Sequence, residues 1–161
     1  IWSCLVGSEM CIRDRILGVY DKDLVKSFAA VAKNLSMEHV LIVHGFDGLD
    51  EITITNKTYV AELKDNSINE YEISPKDFGL NFGQLSEIIA QSSDDSLQLI
   101  REAFSGEKSA VQDMIALNSG AALYLAKVVH SIADGVELSF ELMNNGMAAD
   151  KLASYVRVSN S

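Results

Sequence analysis

The amino-acid sequence predicts an α/β fold, a mixed sheet with an antiparallel hairpin region and flanking helices. Three observations carry this. Val40-Leu41-Ile42-Val43 is an uninterrupted aliphatic run rich in β-branched residues, the pattern of a strand buried on both faces. Residues 21–35 lie directly before it and repeat apolar side chains at helical spacing, so a helix feeds the strand as in a crossover unit. Three short extended runs follow at 51–55, 58–64 and 67–74, separated by Asn56-Lys57 and Asp65-Asn66, two-residue polar connections of hairpin type.

The totals agree with one globular domain. The chain has 161 residues, 48% of them hydrophobic, with a single proline. A net charge of -10 without any Lys/Arg cluster argues against nucleic acid and against anionic membrane surfaces, which both need a basic footprint. No apolar run reaches the roughly 18 residues of a membrane span. Cys4 and Cys11, the two cysteines, stand in neither zinc nor redox spacing, and a reducing cytoplasmic setting is expected.

Taken in order, residues 1–15 hold both cysteines and the one tryptophan with no helical or strand period. They resemble translated adaptor sequence and are expected to be non-native or disordered, leaving 16–161 as the folded unit. Asp21 is the expected N-cap of the first helix, with Asp23 in the first turn where the helix dipole favours an acid. Leu24, Phe28, Val31, Ala32 and Leu35 would form its apolar face, and the helix should stop near Ser36. Tyr59, Ala61 and Leu63 line one face of their strand, as do Tyr71 and Ile73 on the next. Pro75 ends the strands, and Ser74-Pro75-Lys76-Asp77-Phe78-Gly79-Leu80 reads as a surface turn over a buried Phe78. After a loop at 81–93, Ser93 or Asp94 should cap a helix striped by Leu97, Ile100 and Phe104 and closed by Gly106. Residues 109–133 are apolar on most sides and read as one long buried helix. Gly135 and Gly146 are expected to bracket two further short helices.

The candidate site is the loop that follows the buried strand: His44-Gly45-Phe46-Asp47-Gly48-Leu49-Asp50-Glu51. Open α/β sheets place ligands beyond the carboxyl ends of their strands, and Gly45 and Gly48 permit the sharp turns such a loop needs. Asp50 and Glu51 are neighbours, so in a regular strand they would point to opposite faces. In irregular backbone they can converge, and two convergent carboxylates repel unless a cation lies between them. Mg²⁺ fits, since it is commonly held by one or two carboxylates together with water and phosphate. The alternative is a solvated acidic turn bending at Asp47-Gly48. His44 flanks the loop and is expected to be packed and hydrogen-bonded, whereas Asn118, inside the apolar stretch, is either a satisfied core amide or a ligand contact. No phosphate-cradling glycine loop, serine-nucleophile elbow or zinc-helix motif occurs.

Several stretches, in order, resemble the anthranilate phosphoribosyltransferase family. They are Gly18-Val19-Tyr20, the Val-His-Gly-x-Asp-Gly-Leu-Asp-Glu loop at 43–51, the 74–80 turn, Ser105-Gly106-Glu107, Asn118 before an alanine-rich helix, and Ala133-Asp134-Gly135-Val136. The resemblance covers 16–161 and implies the C-terminal part of a phosphoribosyltransferase/nucleoside-phosphorylase-like catalytic domain. It implies transfer of phosphoribosyl from phosphoribosyl pyrophosphate to anthranilate in tryptophan biosynthesis, with Mg²⁺ as cofactor. Asp50 and Glu51 match the family's metal-binding acidic pair, and Gly45, Asp47 and Gly48 the supporting loop. No catalytic residue is assigned within the chain. The family's glycine-rich phosphate loop, its anthranilate-contacting arginine and the helical N-terminal domain that carries the homodimer contact have no counterpart here, so no activity is expected of this chain alone. Ser36 and Ser119-Gly120 depart from the Gly and Ala-Ala more usual in the family. An exposed, aggregation-prone edge is expected at 40–43, with oligomers or poor solubility. The competing readings are a pyrimidine nucleoside phosphorylase-like enzyme, a nucleic-acid-binding relative on the same scaffold, and a metal-binding domain without chemistry.

Overall fold

The computed structural model describes residues 14–160. A four-stranded sheet runs in the order β1 (Asp14–Gly18), β2 (His39–Gly45), β3 (Thr58–Lys64), β4 (Ser67–Ile73). β1 and β2 are parallel and joined through helix α1 (Lys22–Asn34), while β2–β3 and β3–β4 are antiparallel. Helices α2 (Ser93–Ala103), α3 (Ala110–Leu125), α4 (Ile132–Asn144) and α5 (Met147–Ser159) follow. The expected mixed sheet with a hairpin and flanking helices is present. Asp14 and Arg15, assigned above to the leading segment, already pair with His39 and Val40, so the fold begins before residue 16; residues 1–13 lie outside the described residues. Among the described residues no helix is long and apolar enough to cross a membrane.

β2 is the centre of the molecule because both of its faces are covered. Val40 and Ile42 point to a core shared with Val25, Ala29 and Ala32 of α1 and with Ala61 and Leu63 of β3. Leu41 and Val43 point the other way, to a core with Ile52, Ile54, Val60, and with Leu117, Ala121, Val136 and Met143 of α3 and α4. The sheet is thus the middle of three layers. It also has no open edge at 40–43, contrary to expectation, since β1 and β3 flank β2 on both sides.

Other differences have local causes. The helix α1 is capped by Asp21, whose carboxylate accepts from the Asp23 amide, and ends before Ser36, which sits at φ 56°. Of the expected face, Ala32 is buried and Leu24 half-buried on the same core, but the other buried positions are Val25 and Ala29. Phe28, Val31 and Leu35 are 43%, 53% and 69% exposed. Alanines let the helix settle close to the sheet, and the larger side chains are left outside. The hairpin at Asp65-Asn66 has both residues at positive φ, 49° and 60°, the turn that matches strand twist. Tyr59, Ala61 and Leu63 share a face, but Tyr71 and Ile73 stand opposite Val60 and Thr58 and so face the α3 side. The 74–80 turn is a short 3-10 helix, Pro75–Phe78, with Phe78 half-buried and Leu80 buried beneath it. Ser92 caps α2, one residue earlier than expected, and Gly106 at φ 86° follows its end.

The long helix expected at 109–133 is two. Ala126 caps α3, Lys127 turns left-handed at φ 57°, and Ser131 accepts from the Asp134 amide at 3.1 Å to start α4. The chain then runs back, with the Gln112 side chain donating to Asn144 Oδ1 at 3.1 Å. Gly135 therefore lies inside α4 instead of before it. A Cβ there would stand 2.4 Å from the Gly120 carbonyl oxygen, and one on Gly120 would stand 2.6 Å from the Val136 nitrogen, so the two helices touch backbone to backbone.

At the amino end of β2, Glu62 joins sheet to helix. It accepts from His39 Nε2 (2.8 Å), the Tyr71 hydroxyl (2.9 Å) and the Tyr124 hydroxyl (2.9 Å), and Lys64 Nζ donates to the Tyr124 oxygen at 2.9 Å. Burial alone would raise the Glu62 carboxyl, but the His39, Tyr124 and Tyr71 bonds together hold it below the ordinary 4.5. Burial, then the Glu62 charge, raises the Tyr71 hydroxyl. A depressed carboxyl stabilises the fold above its ordinary value, and that stability is lost as pH falls through the folded value. Glu62→Gln should therefore flatten the fall in melting temperature below about pH 4.5, and Glu62→Ala should cost about 2–4 kcal/mol in denaturant unfolding, because three donors lose their acceptor. A Glu62→Gln acid profile superimposable on wild type would contradict this.

Candidate functional site

β1 and β2 end side by side, and their carboxyl ends carry the candidate loop. The β2–β3 connection turns at once. The Gly48 amide donates to the Gly45 carbonyl (2.9 Å), the Gly45 amide donates to the Leu49 carbonyl (2.8 Å), and Gly48 adopts φ 94°. Asp47 lies inside the turn and organises it. Its Oδ1 accepts from the Leu49 amide (3.1 Å), and its Oδ2 accepts from the Thr53 hydroxyl (2.5 Å) and from the Thr55 hydroxyl. Partial burial works to raise this carboxyl, but the Thr53 and Thr55 hydroxyls and the Leu49 amide outweigh it and hold it below the usual aspartate value. Asp47 is thus a fixed anion spent on loop structure.

The extended run expected at 51–55 is not a strand. Ile52, Thr53 and Ile54 are all buried in succession, yet the segment pairs with no strand of the sheet. Side-chain bonds replace the ladder: the Thr53 amide donates to the Thr58 hydroxyl (3.0 Å), and the Thr55 amide to the Thr53 hydroxyl (3.0 Å). Asn56-Lys57 is accordingly part of this loop and not a hairpin turn. The Gly83 amide reaches the Ile54 carbonyl at 3.0 Å and closes the segment from the 3-10 side.

Asp50 and Glu51 sit in this irregular backbone, and both are exposed. Among the described residues neither carboxylate is engaged by a hydrogen bond or ion pair, and no group of three metal-ligating side chains exists. A pair of free, hard oxygen donors without further protein ligands fits a cation that keeps water and phosphate in its shell, such as Mg²⁺, better than one that needs a closed protein cage. What fixes the pair is backbone. The space beside Gly18, at the end of β1, is filled by Asp50: a Cβ on Gly18 would stand 1.6 Å from the Asp50 carbonyl oxygen. On the other side of the pair, Asn118 of α3 accepts from the Ile52 amide (3.1 Å) and donates to the Ile52 carbonyl (2.9 Å) and the Met114 carbonyl (3.0 Å).

Gly45, Asp47, Gly48, Asp50 and Glu51 therefore belong to one loop. His44 is a packed histidine with Nδ1 2.9 Å from the Val19 carbonyl, as expected, and ties the end of β2 to the segment after β1. Asn118 is the satisfied amide of the two alternatives. Sequence reasoning missed the roles of Gly18, Thr53 and Thr55. The signal for the threonines was Thr53-x-Thr55 within hydrogen-bond reach of an acid in a glycine turn. No local pattern announces the Gly18 contact.

Gly18→Ala should cost about 1–3 kcal/mol in denaturant unfolding and displace the 49–51 backbone, read as amide shift changes at Asp50 and Glu51. An alanine tolerated without either effect would refute the close approach.

Residues 7–149 match the profile of the "Glycosyl transferase family, a/b domain". The anthranilate phosphoribosyltransferase of Vesicomyosocius okutanii is 43% identical over 148 residues, covering 92% of this chain and 44% of that protein. That of Halorhodospira halophila is 44% identical over 144 residues, covering 89% and 42%. The crystal structure of the Thermus thermophilus anthranilate phosphoribosyltransferase superposes with a TM-score of 0.83 at 27% identity, covering 92% of this chain and 44% of that one. The Saccharomyces cerevisiae enzyme in complex with PRPP and Mg superposes with a TM-score of 0.81 at 26% identity, covering 94% and 44%. The chain spans less than half the length of these relatives. A profile match over most of the sequence, joined to the same fold, shows that the chain belongs to the glycosyl transferase family of a/b domains typified by these phosphoribosyltransferases.

Proposed function

We propose that this chain is the C-terminal part of an anthranilate phosphoribosyltransferase and that its contribution to the reaction is the metal-holding loop. The observation that carries the reading is the acidic pair: two exposed, unengaged carboxylates on a backbone fixed from both sides, at the carboxyl ends of the parallel strands where α/β sheets bind ligands. The Saccharomyces cerevisiae relative with PRPP and Mg supports that ligand class. In the whole enzyme, phosphoribosyl passes from phosphoribosyl pyrophosphate to the amine of anthranilate, with pyrophosphate leaving. Mg²⁺ bound there supplies charge neutralisation to the departing pyrophosphate. Asp50 and Glu51 supply its protein oxygens, Asp47 keeps the turn closed beneath them, and the Gly45 and Gly48 backbone gives the turn its shape. The remainder of the substrate contacts, and a homodimer contact, belong to portions of a longer cytoplasmic enzyme not represented in this sequence. A nucleoside phosphorylase-like or nucleic-acid-binding role has no observation in its favour here.

Calorimetric titration distinguishes this from a solvated turn. Mg²⁺ should bind at least about tenfold more tightly with pyrophosphate present than without, and Asp50→Asn or Glu51→Gln should remove that gain while leaving the melting temperature unchanged, since both side chains are exposed. Equal Mg²⁺ affinity with and without pyrophosphate, or variants that bind like wild type, would sink the assignment. The chain by itself should show no turnover with phosphoribosyl pyrophosphate, anthranilate and Mg²⁺; measurable turnover would mean that the phosphate and anthranilate contacts are contained in these residues after all.

A further inference from the structure

We infer that Asn118 is a positioning residue for the acidic pair, transmitting the placement of helix α3 to the metal-holding loop. The inference rests on the proposed role of Asp50 and Glu51 and names what holds them in register. Three bonds carry it. Asn118 Oδ1 accepts from the Ile52 amide at 3.1 Å, and Nδ2 donates to the Ile52 carbonyl at 2.9 Å and to the Met114 carbonyl at 3.0 Å. A primary amide offers a carbonyl oxygen and two N–H donors, and here the acceptor and both donors are used on backbone. The first two bonds read Ile52 as a neighbouring strand would, replacing the ladder that residues 51–55 lack. The third locks the amide to its own helix, so the loop takes its position from α3 and not from a flexible side chain.

The bonded residue adjoins Glu51. Ile52 is buried against the α3 side of the sheet, and Asp50 is stopped by Gly18 from the β1 side. The two carboxylates thus hang from a backbone held at both ends, and Asn118 is the end that a side chain can change. The same helix is fixed to the opposite end of the sheet through Tyr124 and Glu62, so its axial position is set independently of the loop. Outer groups that orient a metal ligand typically contribute 10–100-fold to affinity.

Two readouts on this chain separate the inference from the function it serves. Amide hydrogen exchange at Ile52 reports the clamp, and calorimetry with Mg²⁺ and pyrophosphate reports the site. Asn118→Ala should speed Ile52 exchange and weaken Mg²⁺–pyrophosphate binding about ten- to a hundredfold, with Glu62-region amides unchanged. Asn118→Gln keeps the amide's acceptor and donors but displaces them by one methylene, so it should fall between wild type and alanine; it also serves if the alanine variant fails to fold. A folded variant with Ile52 still protected, or with fast Ile52 exchange and unchanged binding, overturns the inference. Absence of Mg²⁺–pyrophosphate binding in wild type would instead overturn the proposed function, while the Ile52 exchange rate would still decide whether Asn118 holds the loop.

Discussion

The Asp50 carbonyl occupies the volume that a side chain at position 18 would need. This one contact ties the end of the first strand to the acidic pair, and much of the local architecture can be read as its consequence. β1 has to end in glycine, and the Val19 amide then continues the pairing by donating to the Val43 carbonyl at 3.0 Å. The loop after β2 has to double back toward β1 within a few residues, which the left-handed Gly48 and the half-buried, hydrogen-bonded Asp47 carboxylate accomplish. The pair Asp50 and Glu51 ends up exposed although the residues on its C-terminal side are among the most buried in the chain. A rigid base with free oxygens at its tip suits electrostatic work, because charges already in place need no reorganisation when the ligand arrives.

Helix α3 serves both ends of the sheet. Near its middle, Asn118 holds the loop; six residues later, Tyr124 donates to Glu62, where His39 and Tyr71 complete a carboxylate bonded by three donors. Backbone contact between Gly120 and Gly135 seats α4 against α3 between those two points. The closeness of Gly120 to the Val136 nitrogen gives a packing reason for a residue without a side chain there. A half-buried carboxylate with three donors is costly to break and directional, so it sets where the helix lies along the strands.

The elements legible in the sequence were those decided by local physics. The aliphatic run of β2, the Asp21 cap, the left-handed Asp65-Asn66 turn and the Gly48 bend each follow from residue type at the position itself. What was misread was decided by contacts between distant residues. The face of α1 depended on how closely its alanines approach the sheet. The break after α3 was marked by Ser131 and Asp134, a capping signal outweighed by continuous hydrophobicity. The run 51–55 has strand composition, but Asp47 and Asn118 claim its hydrogen bonds first. Within the site, the acidic pair and its glycines were visible from spacing, whereas the contacts of Gly18 and Asn118 with the loop, from 32 residues before and 68 after Asp50 in the chain, became visible only once the fold brought them together.

A divalent cation with pyrophosphate should be held at the exposed acids beyond β1 and β2 and nowhere else on this acidic chain. Replacing Mg²⁺ by Mn²⁺ and recording paramagnetic broadening of backbone amide signals in the presence of pyrophosphate tests it directly. Signals of residues 48–52 and of Gly18 and Val19 should vanish first, while those of His39, Asp65 and Asn66 at the opposite end of the sheet persist. Broadening spread over the other acidic surfaces, or centred away from Asp50 and Glu51, would place the cation elsewhere and contradict a metal site at this pair.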